Sequence, residues 1–405
     1  MIHCLLQKYK CFYFADIFFL GGSCMQVAVL GFGTVGRSVY EMLADAPGLT
    51  PGPVLVRRGK EEAPFKLSDM AQLLAQPDVA AVAEALVGVE PAYAYVTAAL
   101  NAGKHVVTAN KALVAAHGPE LAALAREKGV GFLFSAACGG GVPFLQNLAL
   151  AARSDRVTAI GGILNGTTNF MLDAMQRKQL DYAQALSEAQ QLGYAEADPT
   201  ADVSGLDSLR KIMLACAVAY GVLPEKGLHW EGITDFTAAD AAHIRHLGLC
   251  CRLLASGGQT ANGALHAYVE PALLPQSAPE CAVMDNYNLA RYVGACAGPM
   301  VLIGQGAGGK PTASGVLRDL CALQAGVHQI LPADCRRGEA DNETAVHPYY
   351  ARMSAALAGC FPAEQTSVTG SVARMITRPV SVSWMHETVA QLRREGERIF
   401  FAAMA

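Results

Sequence analysis

Between Leu192 and Leu214 the chain reads LGYAEADPTADVSGLDSLRKIML. Glu196, Asp198, Asp202 and Asp207 fall within twelve positions, in a chain where only 16% of residues are charged. Lys211 follows Asp207 by four residues, so on a helix the two side chains share one face and pair. On a wet face that is an ordinary surface ion pair. Turned toward a cleft, it sets a proton-carrying ammonium beside a carboxylate, a combination suited to acid–base chemistry. Two further groups have reactive types in telling places. Lys111 follows the strand-like run His105 to Thr108, and ligands of parallel sheets bind beyond strand carboxyl ends. The turn Asn165 to Asn169 ends an apolar strand in GGILNGTTNFML, offering hydroxyls and amides to a small polar ligand.

The elements that would position these groups begin at Val27 to Leu30, a short buried-strand pattern that runs into GFGTVG and then a helix, Val35 to Leu43. Strand, glycine turn, helix is the order a dinucleotide fingerprint requires. Gly31 makes the tight turn, Gly33 admits a pyrophosphate, and Gly36 lets the helix pack close. Phe32, Thr34 and Val35 complete the loop, and the helix N-terminus offers its N–H groups to phosphate. The next strand, Val54 to Val56, ends in Arg57-Arg58 where a carboxylate for the ribose hydroxyls would stand. Two guanidiniums suit a 2′-phosphate, which points to NADP(H), with NAD the alternative.

Further alternation follows: a strand Val79 to Leu86, a helix Tyr93 to Ala102, then the strand before Lys111. This argues for an α/β fold with a parallel sheet covered on both faces. A helix is expected from about Ser204 to Tyr220, stopped by Gly221. Leu206, Leu209, Met213 and Cys216 form its expected core stripe, with Asp207 and Lys211 on roughly the opposite side. VLIGQGAGGKPTASGVLRDL near Val301 is a second glycine-rich turn before a helix. Residues 338–344 read as a polar linker. Beyond it come a strand Tyr349 to Met353, a helix Glu387 to Arg394 and a strand Ile399 to Ala402.

Bulk properties narrow the function. The 405 residues allow two or three domains, and a hydrophobic content of 52% supports large cores. A net charge of −4 without any Lys/Arg block gives no footprint for nucleic acid. The twelve cysteines are scattered without C-x-x-C or zinc spacing, the usage of reduced thiols in a cytoplasmic protein. The apolar run Phe12 to Leu20 is broken by Asp16 and is too short to span a bilayer. No membrane partner is expected, and residues 1–24 read as a non-native extension preceding a start at Met25.

GFGTVG, VVTANKAL, ILNGTTNFML, LGYAEADPTADVSGLDSLRK and GQGAGGKPTASGV, in this order and spacing, resemble homoserine dehydrogenase over roughly Met25 to Gly326. The resemblance implies a Rossmann domain over 25–155, completed by about 305–335, and an α+β catalytic and dimerisation domain over 156–304. It also implies an ACT-like regulatory module, here short and divergent, over 345–405. The implied reaction is the NAD(P)-dependent interconversion of L-homoserine and L-aspartate 4-semialdehyde in threonine and methionine biosynthesis, carried out by a homodimer or homotetramer. Residue by residue, the proton donor falls on Lys211, with Asp207 and Lys111 beside it in the catalytic group. Glu196, Thr167 and Tyr194 fall at substrate positions, and Gly308 and Lys111 join the cofactor set. A sodium ion is implied at the backbone carbonyls of Ser135, Cys138, Gly140 and Val142. The chain departs from the family in Gly88-Val89, in the loop from Ser135, and in the turn after His347-Pro-Tyr-Tyr-Ala-Arg, which bears on threonine sensing. Two other readings share the fold: another Rossmann amino-acid dehydrogenase, for which the run from Asp198 to Lys211 would be incidental, and a non-catalytic NADP(H) sensor, which has no need of a proton donor.

Overall fold

The computed structural model describes residues 24–56 and 64–404. Residues 1–23 of the N-terminal extension and the Arg57-Arg58 pair lie outside the described residues.

Six parallel strands form the first sheet: β1 (Met25–Leu30), β2 (Leu49–Leu55), β3 (Lys66–Leu67), β4 (Val79–Glu84), β5 (His105–Thr108) and β6 (Phe132–Leu133), in spatial order β3-β2-β1-β4-β5-β6. Their near-continuous apolar runs are those of strands covered on both faces. The strand order switches sides between β1 and β4, so a crevice opens beyond their carboxyl ends, the usual ligand site of such sheets. Helix Gly309–Gln324 returns late in the chain to pack against helix Thr34–Leu43.

The second sheet is mixed. From one edge its strands run Gly298–Gln305, Tyr287–Gly294, Val157–Ile163, Leu249–Gln259, Leu265–Pro275, Phe400–Met404, Tyr349–Ser354, Val372–Thr377 and Ala363–Thr369. The last four belong to the tail, so the tail extends this sheet within the chain. Those four are mutually antiparallel, and Phe400–Met404 runs parallel to Leu265–Pro275. One helix, Val382–Arg394, accompanies them, and a short 3-10 turn, Ala355–Cys360, occupies the first crossover.

Three expectations are corrected. Helix Leu206–Tyr220 buries far more than one stripe: Asp207, Ser208, Lys211, Ile212, Leu214, Ala215 and Val218 are all buried, while Leu206 and Met213 are only half-buried. It touches helices Lys111–Glu127 and Phe144–Ser154 as well as strands Val157–Ile163 and Leu249–Gln259, so it has little wet face. Residues 338–344 are no loose linker, since Arg336–Glu339 pairs with Val222–Lys226 and the buried Asn342 side chain bonds Gly227 O and both backbone groups of Ala267. The tail helix begins five residues before Glu387, because the Ser381 hydroxyl caps it at Trp384 N.

Candidate active site

The site forms where two capped helix starts meet the first two turns of the buried helix. Asn110 opens helix Lys111–Glu127, its Oδ1 accepting from Leu113 N at 3.1 Å. Asn165 opens helix Gly166–Arg177, its Oδ1 accepting from Thr168 N at 2.9 Å. Asparagine is a preferred residue at both positions because its oxygen satisfies an otherwise orphaned N–H. Helix Leu206–Tyr220 starts behind Gly205, whose φ of +84° favours glycine; a Cβ there would lie 2.9 Å from Glu231 O.

These starts converge on the Asp207 carboxylate. Lys211 Nζ lies 2.7 Å from Asp207 Oδ2 and Lys111 Nζ 2.9 Å from Oδ1. Asn165 Nδ2 donates to Asp207 Oδ2 at 2.9 Å and to Asp202 Oδ1 at 2.7 Å. Lys211 Nζ also donates to the Leu164 carbonyl at 2.6 Å. The Thr167 hydroxyl lies 2.7 Å from Tyr194 O and 3.2 Å from Asp202 Oδ2, and the Tyr194 ring packs edge-on against Phe170.

Burial works against ionising Asp207, but the two ammoniums outweigh it and hold the carboxyl well below the ordinary carboxylate range. Burial likewise works against a charged Lys211, and the Asp207 carboxylate overrides it, raising the lysine above its ordinary value. Asp202 shifts the other way. Its own burial and then the charge of Asp207 push it up.

Of the sequence-predicted residues, the structure brings Lys111, Asp207, Lys211, Thr167 and Tyr194 into one constellation. Glu196 is exposed on the adjoining loop, where its backbone carbonyl accepts from Gln190 Nε2 at 3.2 Å. Sequence reasoning offered the Asn165 turn to a ligand rather than to these carboxylates and gave Asp202 no role of its own. Both stood in quoted motifs, but only the packing of two distant segments makes one amide bridge two carboxylates.

The dinucleotide turn follows β1. Gly31 has φ +90°, and a Cβ on it would meet Leu86 Cδ2 at 2.9 Å. A Cβ on Gly36 would come within 2.1 Å of Gly31 O, whereas Gly33 has nothing within 4 Å. Phe32 packs on Tyr40 under the Arg37 guanidinium. Helix Thr34–Leu43 starts at Gly33 without a side-chain cap, leaving Thr34, Val35 and Gly36 to present the first turn. Gly308, at φ +112°, turns the late segment into helix Gly309–Gln324, and Gly309 abuts Thr34 and Ser38. An open glycine loop at an uncapped helix N-terminus fits a pyrophosphate.

The loop from Ser135 lies between these parts. Ser135 O and Val142 O each accept one backbone N–H, from Cys138 and Phe144, and Gly140 O faces Gly315. Asp319 accepts from Ser135 N and from Gln146 Nε2, both at 2.7 Å, and burial pushes its carboxyl up to about 6. The Cys138 thiol is pushed up to about 12 by burial. Arg318 donates to Gly141 O at 2.8 Å.

A Rossmann sheet with an open glycine turn, joined to a buried lysine–carboxylate cluster through Lys111, is the arrangement of a nicotinamide-dependent oxidoreductase. Comparison with known proteins narrows this. Residues 143–321 match the family model for homoserine dehydrogenase, and residues 31–135 that for the homoserine dehydrogenase NAD-binding domain. The homoserine dehydrogenase of Corynebacterium glutamicum is 40% identical over 318 residues, covering 74% of this chain and 72% of that protein. A crystal structure of a homoserine dehydrogenase from Thiobacillus denitrificans superposes with a TM-score of 0.82 at 28% identity, covering 94% of this chain and 98% of that one. A hyperthermophilic archaeal homoserine dehydrogenase in complex with NADPH gives a TM-score of 0.64 at 25% identity, covering 76% and 99%. The chain belongs to the homoserine dehydrogenase family and is an oxidoreductase that interconverts L-homoserine and L-aspartate 4-semialdehyde with a nicotinamide cofactor.

Proposed function

We propose that Lys211 is the proton carrier of this reaction, with Asp207 and Lys111 as its catalytic neighbours. Reduction of the semialdehyde adds a hydride to the carbonyl carbon and a proton to its oxygen; oxidation of homoserine removes both. The nicotinamide supplies or accepts the hydride. The observation that carries the reading is the bonding of Lys211 Nζ. An ammonium has three N–H bonds, and Asp207 Oδ2 and Leu164 O take two. The third is left for a substrate oxygen. Asp207 keeps the lysine charged in a buried site, and Lys111, pulling on the other carboxylate oxygen, fixes the rotation of that carboxylate. Glu196 pairs with the substrate ammonium, and Thr167 and Tyr194 complete the substrate side.

The cofactor is NADP(H), with NAD the second choice. The reading rests on Arg57-Arg58, which follow β2 in the sequence, and is supported by the NADPH bound to the archaeal relative. Gly31 to Gly36, Gly308 and Lys111 form the rest of its site. A sodium ion is held by the carbonyls of Ser135, Cys138, Gly140 and Val142, since a carbonyl that accepts one N–H keeps a second lone pair.

The chain works as a Rossmann domain (25–155 with 305–335), a catalytic and dimerisation domain (156–304) and an ACT-like tail (345–405). The order of the tail strands, fourth-first-third-second, supports the last, being that of a βαββαβ unit with its first helix cut to a turn. That lost helix removes backbone donors for an amino-acid carboxylate, so threonine binds weakly or not at all. A homodimer or homotetramer forms through strand Gly298–Gln305, a sheet edge exposing Met300, Val301 and Ile303. The setting is the cytoplasm, with cysteines unpaired among the described residues; among those residues no helix is long and apolar enough to cross a membrane.

A spectrophotometric assay of L-homoserine oxidation with NADP⁺ and with NAD⁺, repeated with millimolar threonine, tests this reading. Turnover favouring NADP⁺ and indifferent to threonine is expected. A preference for NAD⁺ removes the 2′-phosphate reading, and strong inhibition by threonine shows a working sensor.

A further inference from the structure

Glu84 ends β4 and is 1% exposed. Its hydrogen-bond donors are all neutral: the Thr108 hydroxyl at very short range, Leu86 N at 2.7 Å and Asn110 Nδ2 at 3.4 Å. A carboxyl placed this deep with neutral partners is costly, and burial raises it above its ordinary range. Beside it β1 ends in the apolar Leu30 and β5 in the neutral Thr108, so neither neighbouring strand end brings a cation for an acid to pair with.

What Glu84 touches is specific. Thr108 closes β5 and accepts from Asn110 N at 2.9 Å. Asn110 bonds Gly88 O at 2.7 Å with the same amide that reaches Glu84, while its Oδ1 caps the helix at Leu113 N. The next residue is Lys111. The Lys111 side chain is 36% exposed, whereas that of Asp207 is 8% exposed. Packing therefore does little to aim the lysine, and its reach toward Asp207 depends on where the helix start places its Cα. The other end of the network is the Ala85–Leu86 segment, against which Gly31 packs so closely that a Cβ would lie 2.9 Å from Leu86 Cδ2 and 3.1 Å from Ala85 O.

We propose that Glu84 is a positioning residue for the reaction: through Thr108 and Asn110 it fixes the helix start that aims Lys111 at Asp207, and through Leu86 it ties that aim to the dinucleotide turn. The inference rests on the role given to Lys111 above. Glu84 touches neither substrate nor the reacting atoms.

The test is a double-mutant cycle between Glu84 and Lys111, reading kcat, the KM for homoserine and the Kd for NADP⁺. Glu84→Ala is expected to lower kcat by about tenfold or more, the scale of a misplaced catalytic group, with the NADP⁺ Kd within about threefold of wild type. In a Lys111→Ala background the same change lowers kcat by less than about twofold, because residues acting through one group are not additive. A merely structural acid would give the full loss in both backgrounds, and that result overturns the proposal. Glu84→Gln keeps the side-chain size and carries the same comparison if the alanine variant does not fold; its amide cannot accept from every donor, so a fall of about threefold or more is expected and an unchanged kcat overturns the proposal. If Lys111→Ala leaves kcat intact, the role of Lys111 falls and this inference with it. If Lys111→Ala is impaired while the Glu84 variants are not, the inference alone falls.

Discussion

Lys111 and Lys211 hold opposite oxygens of one buried carboxylate, Lys111 at 2.9 Å from Asp207 Oδ1 and Lys211 at 2.7 Å from Oδ2. Lys111 starts a helix of the nucleotide-binding part and Lys211 lies within the helix at the centre of the catalytic part. Asp207 therefore joins the two halves of the site, one lysine to each of its oxygens.

Removing that charge while keeping its shape should change the pH dependence. In Asp207→Asn two ammoniums face each other across a neutral amide, and the carboxylate that raised Lys211 is gone. The lysine then loses its proton at lower pH. For semialdehyde reduction, which needs the protonated lysine, the basic limb of the kcat profile should move to lower pH, with kcat down about 10²-fold or more at neutral pH. A basic limb in its wild-type position would show that Asp207 does not set the charge of Lys211.

Cofactor choice is predicted to lie with Arg57 and Arg58. Changing both to alanine should raise the KM for NADP⁺ far more than that for NAD⁺, by roughly 1.5–3 kcal/mol for each charged hydrogen bond lost. Equal effects on the two cofactors would place the phosphate elsewhere.

The tail should be held by Glu270, a buried residue of strand Leu265–Pro275. His347 Nε2 lies 2.8 Å from Glu270 Oε1 and His386 Nε2 3.0 Å from Oε2, while the Tyr349 hydroxyl lies 3.1 Å from Oε2. Burial opposes its ionisation, but the hydrogen bonds from His347 and His386 outweigh it, so the folded carboxyl is depressed below its ordinary value. A depressed carboxyl stabilises the fold fully above its unfolded pKa, about 4.3, and the contribution is lost as pH falls through the lower folded value. Glu270→Gln should therefore cost about 1–3 kcal/mol at pH 7, and the gap should narrow below about pH 4.3. Thermal unfolding of both proteins across that range checks this. A gap that does not change with pH would mean that the charge contributes nothing.

Much of the nucleotide half was legible because each glycine answers a local demand. Gly36 can be read from spacing, since the helix must lie close enough that a Cβ would reach within 2.1 Å of Gly31 O. The Asp207–Lys211 pair was legible for the same local reason, the four-residue repeat of a helix. Its surroundings were not. Periodicity assumes a helix with one wet side, and here Ile212, Leu214, Ala215 and Val218 are buried together with the charged pair. Lys111 meeting Asp207, and Asn165 bridging Asp202 to it, depend on packing between segments far apart in sequence, which no local pattern encodes. The joining of the tail to the catalytic sheet through Leu265–Pro275 and Phe400–Met404 was hidden likewise, because a strand pattern names no partner.

The most direct measurement is the turnover of Lys211→Ala, with NADP⁺ binding measured by titration in the same preparation. Loss of a positioned general acid should lower kcat for homoserine oxidation and semialdehyde reduction by about 10²–10⁴-fold, with the NADP⁺ Kd close to wild type because the lysine acts on the substrate. A variant that keeps more than about a tenth of wild-type kcat would contradict the assignment of Lys211 as the proton carrier.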